Sequence, residues 1–449
     1  MALQKPFVPP SADHFNSERA SMRLLNSPLA KIANERLNST TPGTSSDGPL
    51  AVKKAPAGPV GIRDRISHFT WAWFTITIST GGLAVLLHEQ PHRFDGLITI
   101  GKVVYIFNLV LFVAFSSLLT TRFRLSGKSF WTSLTSSSEL FFIPTFFLSI
   151  AVIIAGMPLY GLSSTGTWLL TTTRVLFWLY GSLVLVLSLL LFLLITTFAA
   201  PASKLNPLTS ASPAWLLPIL PVLLTGTIAS LIAPTQPAEH RLSIIVAGIT
   251  FQGLGYTMAI LLHTLVLIRL FASGLPAPSQ RPSLFILAAV PAFTAAALIA
   301  NARALPGSKG AYLSAHPGAV DALAAFALWA AIFLWLLAAW FFLFAATATL
   351  LTLSARPPYR HSWWAMVFPN VGFAVATAEV ARELQSAAIA WVATAITLVV
   401  VVAWLALAGL VVRAVWKGEV LWPGRDEDVD EDQREVAAAG PVDSSVKAC

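Results

Sequence analysis

The stretch Phe141-Phe142-Ile143-Pro144-Thr145-Phe146-Phe147-Leu148-Ser149-Ile150-Ala151-Val152-Ile153-Ile154-Ala155-Gly156 holds no charged residue and carries a proline. A bilayer core roughly 30 Å thick needs about 20 residues of apolar helix, and this stretch with its continuation is that long. Nine others read the same way, beginning near Trp71, Val103, Leu176, Leu216, Ile244, Leu284, Leu323, Trp363 and Ile389. The chain is therefore expected to be an all-α integral membrane protein with ten transmembrane helices. Every second segment is interrupted: Gly81 and Gly82 in the first, Pro144 in the third, Pro218 and Pro221 in the fifth, Pro291 in the seventh and Pro369 in the ninth, whereas the second, sixth and eighth have no break. A proline deletes an intrahelical hydrogen bond, and backbone loosened at membrane depth is tolerated only inside protein or beside a water-filled cavity. The odd helices are thus expected to be kinked and to line a pathway, and the even ones to face lipid.

Composition agrees. The 449 residues are 56% hydrophobic and 11% charged, against about 25% charged in a soluble domain. The net charge of +8 comes from Lys and Arg scattered between apolar spans, so no nucleic-acid partner is expected. It follows the excess of basic residues in cytosolic loops instead. Arg63, Arg65, Arg122, Arg124, Lys128, Lys204, Arg269, Arg281, Arg356, Arg360, Arg413 and Lys417 fall on one side, and Arg93, Arg241, Arg303 and Lys309 on the other. Both termini are then cytosolic. Residues 1–61, rich in Pro, Ser, Asn and Thr, read as a disordered tail, 62–418 as the membrane transport domain, and 419–449 as a disordered acidic tail. The single cysteine, Cys449, is the last residue, so no disulfide within the chain and no CaaX lipid site is expected.

Several runs resemble the tellurite-resistance/dicarboxylate transporter family, to which the plant slow anion channels are related. They are Phe69-Thr70-Trp71-Ala72-Trp73-Phe74 with Thr80-Gly81-Gly82, Glu139 through Ser149, Pro213-Ala214-Trp215-Leu216-Leu217-Pro218-Ile219-Leu220-Pro221 with Gly226-Thr227-Ile228-Ala229, and Phe251-Gln252-Gly253-Leu254-Gly255. With Ile100-Gly101-Lys102-Val103-Val104 they look most like the fungal malic acid, or C4-dicarboxylate, branch. The likeness covers about residues 62–418 and departs at Ser136-Ser137, where relatives show His-Pro before the third helix. It implies five helical hairpins around a central pore lined by the odd helices, a homotrimer in the plasma membrane, and a constriction at a phenylalanine on the ninth helix. By position in Trp363-Trp364-Ala365-Met366-Val367-Phe368-Pro369 that gate is Phe368. It also implies transport of malate or a related dicarboxylate, alone or with protons. An inorganic anion channel and a sulfite efflux transporter of the same family are the alternatives.

An aromatic ring beside a proline can close a narrow lumen by dewetting; the competing reading is that Phe368 only packs against a neighbour. Each kink proline starts a half-helix whose exposed N–H groups favour negative charge. The expected pathway residues are Thr80, Gly81, Gly82, Pro144, Thr145, Pro221, Thr225, Gly226, Pro291, Phe293, Thr294, Pro369 and Asn370. The threonines, Thr227 included, either offer hydroxyl donors to an anion or bond back to a carbonyl one turn earlier. Glu139, Arg174 and Asp321 are expected at helix ends with their heads in water, Glu379 and Arg382 to pair on one face, and His68 and His263 to be interfacial near cytosolic ends. Gln252 reads as a helix-packing residue whose amide bonds to a neighbour. No segment carries a His and carboxylate cluster for metal or catalysis, and no P-loop is present. The chain is read as a transporter that needs no cofactor or metal, with a small anion and the lipid bilayer as its partners.

Overall fold

The computed structural model describes residues 60–125, 130–135, 137–162, 164–199, 211–352 and 359–422, and among these the regular structure is helical throughout. The tails expected at 1–61 and 419–449 lie outside the described residues except for 60–61 and 419–422, as do Lys128, Ser136, Lys204 and Arg356. Ten helices organise the described chain: α1 Phe74–His88, α2 Leu97–Leu125, α3 Ile143–Gly161, α4 Trp168–Leu194, α5 Leu220–Ile232, α6 Ala238–Ser273, α7 Ile286–Arg303, α8 Ala319–Leu350, α9 Phe368–Glu383 and α10 Ala387–Trp416.

They alternate in length and exposure. The even helices have 27 to 36 residues and the odd ones 13 to 19. At 1.5 Å per residue an odd helix alone falls short of the hydrocarbon core. The missing length comes from tight 3₁₀ turns that precede four of them, Trp71–Trp73, Pro213–Leu216, Arg281–Phe285 and His361–Met366. Between 72% and 89% of the apolar stretch is buried in four odd spans, against 17% to 33% in the even spans, and α5 is buried along nearly its whole length. The short helix α1 packs on α3, α3 on α5, α5 on α7, α7 on α9, and α9 returns to α1. Each long helix lies against the short helix before it.

A long helix touches this ring along one narrow seam. On α8 the buried positions are Ala327, Ala331, Leu334, Ala338, Phe341, Ala345 and Ala348, alternating steps of four and three that keep one face toward α7. Alanine at most of these positions lets the two backbones approach closely, the main packing device where lipid removes the hydrophobic drive between helices.

The prolines do less kinking than the sequence leads one to expect. Pro144, Pro221 and Pro369 each sit in the first turn of their helix, where the missing N–H has no intrahelical partner to lose. Pro291 does lie inside α7, and so does Pro158 inside α3, a second internal proline outside the expected set. Gly81 and Gly82 leave α1 unbroken; they are points of contact. A Cβ at Gly81 would come within 2.6 Å of Asn108 Nδ2 on α2, and one at Gly82 within 3.1 Å of the Phe368 ring.

Two expectations about charge need correction. Glu139 does not hold its carboxylate in water: it is buried and forms a two-pronged ion pair with buried Arg122, with the Ser133 hydroxyl donating to the same carboxylate and Trp71 Nε1 donating to Ser133 at 2.8 Å. His263 is likewise buried, between α6 and α7, rather than interfacial. Arg174 is half-buried and Asp321 exposed.

Candidate functional site

Two cavities lie between the short helices, and each is lined by all five. One sits at their amino ends, among Thr75, Ser79, Phe142, Thr145, Leu217, Leu220, Ser283, Ile286, His361, Ser362 and Trp364. The other sits toward their carboxyl ends, among Gly82, Val85, Glu89, Val152, Leu224, Thr227, Ser230, Phe293, Ala300, Val371 and Glu379. Phe368 lines both. It is the first residue of α9, and its ring stacks on Phe293 with centroids 5.0 Å apart and planes at 28°. Phe293 in turn fills the space beside Gly372, where a Cβ would meet its ring at 2.7 Å. Two glycines, Gly82 and Gly372, thus make room for two stacked aromatic rings between the cavities.

The cavities differ electrostatically. Phe142, Leu220, Ile286, Phe368 and Pro369, at the amino ends of α3, α5, α7 and α9, wall the first, so the positive ends of four helix dipoles point into one volume. The second is bordered by two carboxylates. Glu379 takes hydrogen bonds from Arg303 and, at 2.9 Å, from Arg382, whose other nitrogen lies 3.5 Å from Glu89. Arg303 also reaches Glu383 at 2.8 Å, and His88 Nδ1 lies 3.0 Å from Glu89. Burial pushes the Glu89 carboxyl up, but the His88 hydrogen bond and the charges of His88, Arg382 and Arg93 outweigh it and hold it below the usual carboxylate range. The Glu379 to Arg382 pairing is as the three-residue spacing indicates.

The expected pathway residues divide cleanly. Phe368, Gly82, Thr145, Phe293 and Pro369 line a cavity; Thr80, Gly81, Pro144, Pro221, Thr225, Gly226, Pro291, Thr294 and Asn370 line neither. The threonine hydroxyls mostly bond back to their own backbone: Thr80 to Ile76 O, Thr225 to Pro221 O, Thr294 to Val290 O and Thr145 to Phe142 O, the last also reaching Trp71 O. Thr80 additionally receives Trp404 Nε1 from α10, and Thr294 receives Gln252 Nε2 from α6, the cross-helix bond expected of that amide. Gly226 presents its carbonyl to Asn301 Nδ2. Thr227 and Ser362, which line the second and first cavity respectively, have buried hydroxyls with no hydrogen-bond partner among the described residues. Ser362, Ser79 and Glu89 fall outside the set read from sequence. The one signal available was their position, Ser79 inside the first segment and Glu89 and Ser362 in the runs flanking the first and ninth.

Among the described residues, nine helices long and apolar enough to cross a membrane, with a shorter apolar tenth, around two internal cavities have the architecture of a membrane transport protein. The chain belongs to the SLAC1 voltage-dependent anion channel family, which its residues 68–412 match. It is 35% identical over 377 residues to a malic acid transport protein of Schizosaccharomyces pombe, covering 84% of each chain. A putative malic acid transport protein of the same yeast is 33% identical over 369 residues, covering 82% of this chain and 84% of the relative. The sulfite efflux pump SSU1 of Arthroderma otae is 24% identical over 357 residues, covering 77% of this chain and 91% of the pump.

Proposed function

We propose that the chain carries C4-dicarboxylate anions, malate among them, across the plasma membrane along a central pore lined by the five short helices and gated by Phe368. The observation that carries this reading is that two cavities, each bounded by every short helix, meet at that one ring. The cavities have volumes of about 50 and 60 Å³, room for a few waters. A four-carbon diacid therefore passes only when Phe368 swings aside, and the stacked rings otherwise close the route by excluding water.

The four helix amino ends provide an anion-stabilising field next to the gate with no Lys or Arg among the described residues lining that cavity, and the unpartnered hydroxyls of Ser362 and Thr227 become available on either side of it once Phe368 and its neighbours move. Malate is favoured over sulfite because identity to the proteins named for malic acid transport exceeds identity to the sulfite efflux pump. The ten helices form five hairpins with both termini cytosolic, and the functional unit is a homotrimer. Reconstituted vesicles test the substrate: labelled malate flux is expected to be competed by succinate or fumarate more strongly than by sulfite, nitrate or chloride. A preference for sulfite would replace the malate reading with sulfite efflux.

A further inference from the structure

One carbonyl in α7 lacks its helical donor and has another. Pro291 has no N–H, so Leu287 O, four residues earlier, receives no bond from the turn above it. Across the interface with α6, the His263 ring places Nε2 3.0 Å from Leu287 O, with Nδ1 2.7 Å from Ala259 O on its own helix. The ring is 3% exposed and packs against Phe341, centroids 5.2 Å apart. A neutral imidazole carries one N–H; Ala259 O already takes the helical bond of its own turn whereas Leu287 O has none, so the proton is assigned to Nε2, where it satisfies the carbonyl that the proline orphaned, in surroundings where an unsatisfied backbone group is costly. About two turns further along α7, Gln252 Nε2 donates to Thr294 Oγ1 at 2.8 Å. Helix α6 therefore grips α7 on both sides of Pro291.

Between those two grips lies Phe293, the ring on which Phe368 rests. Its position depends on how far α7 bends at Pro291, and the bend depends on what receives the Leu287 carbonyl. We propose that His263 is a positioning residue for transport: by donating to Leu287 O it fixes the bend of α7 and so holds Phe293 where it supports Phe368. The inference rests on the reading of Phe368 as the constriction. Nothing about His263 as a substrate contact is implied, since it lines neither cavity.

A double-mutant cycle tests it. Pro291→Ala restores an amide at position 291 that can bond Leu287 O, making the histidine donor redundant. Full-length protein bearing His263→Leu, Pro291→Ala or both is reconstituted, and the ratio of malate to chloride flux is read beside Tm in detergent. His263→Leu alone is expected to lower the ratio several-fold, and the same change in the Pro291→Ala background to leave that background's ratio unaltered. His263→Gln, whose amide reaches toward the same carbonyl, is expected to retain most of the wild-type ratio even if the leucine variant is poorly produced. Additive effects on the ratio, or a His263→Leu protein with unchanged ratio, would overturn the proposal. Coupling seen in Tm but not in the ratio would do so as well, since it would make the contact purely structural. Failure of the gate reading shows separately, as a Phe368→Ala protein with wild-type flux and selectivity.

Discussion

Phe368 has a glycine in front and an aromatic ring behind, and both bear on what a substitution does. Phe368→Ala removes the ring that lines both cavities, so basal anion conductance is expected to rise and selectivity to weaken; currents in planar bilayers measure both. Gly372→Ala acts on the same pair indirectly, placing a methyl 2.7 Å from the Phe293 ring and forcing that ring to shift. It too is expected to raise basal conductance, whereas Gly253→Ala, with open space at its Cβ, leaves it unchanged. The hydroxyls sort by their partners. Thr145→Val deletes hydrogen bonds to two backbone carbonyls and is expected to cost about 1 kcal/mol of stability with little change in selectivity. Ser362→Ala and Thr227→Val remove hydroxyls that have no partner among the described residues, on side chains that line the cavities, and they are expected to shift malate against chloride flux. Equal selectivity in all three variants would remove the hydroxyls from any role in anion recognition. From sequence, residue type and depth pointed to threonines. Which of them keeps a hydrogen free is decided by rotamers and neighbours that a one-dimensional pattern does not carry.

At the scale of the helix, the alternation of interrupted and plain segments was legible because proline and glycine register directly in the chain. Where each helix starts was not. The apolar run continues upstream through Trp71–Trp73, Pro213–Leu216, Arg281–Phe285 and His361–Met366, so hydropathy shows one unbroken span and Pro221 or Pro369 looks central when it is in fact a first-turn residue. Pairings across loops were hidden for a related reason. Arg122 lies in the last turn of one helix and Glu139, 17 positions later, precedes the next, and no local spacing rule links them. Leaving one member of such a buried pair uncompensated costs about 3–5 kcal/mol, more than replacing both with apolar groups. Glu139→Gln is therefore expected to lower Tm in detergent more than Arg122→Met with Glu139→Leu does; a milder single variant would show the pair to be dispensable.

For the molecule as a whole, the proposed ten crossings would put both ends of the membrane domain on one side, the cytosolic one by the distribution of arginines. In a Cys449→Ser background, a cysteine at exposed Ser273, the last residue of α6, is expected to react with impermeant thiol reagent only from the cytosolic face, and one at exposed Ser314, between α7 and α8, only from outside. Reversed labelling would invert the orientation. The ring of short helices inside long ones was anticipated from the placement of breaks, and Glu379 with Arg382 from their spacing, yet nothing along the chain linked Glu379 to Glu89, because the two are brought together only by closure of α9 onto α1. That closure has an electrical consequence. Along the proposed route an anion meets four helix amino ends on one side of Phe368 and two arginine-clamped carboxylates on the other, so its energy profile is lopsided along the membrane normal. Equal and opposite voltages are then expected to drive unequal currents through identical solutions, as in a diode whose polarity was set when the short helices were all laid down pointing the same way.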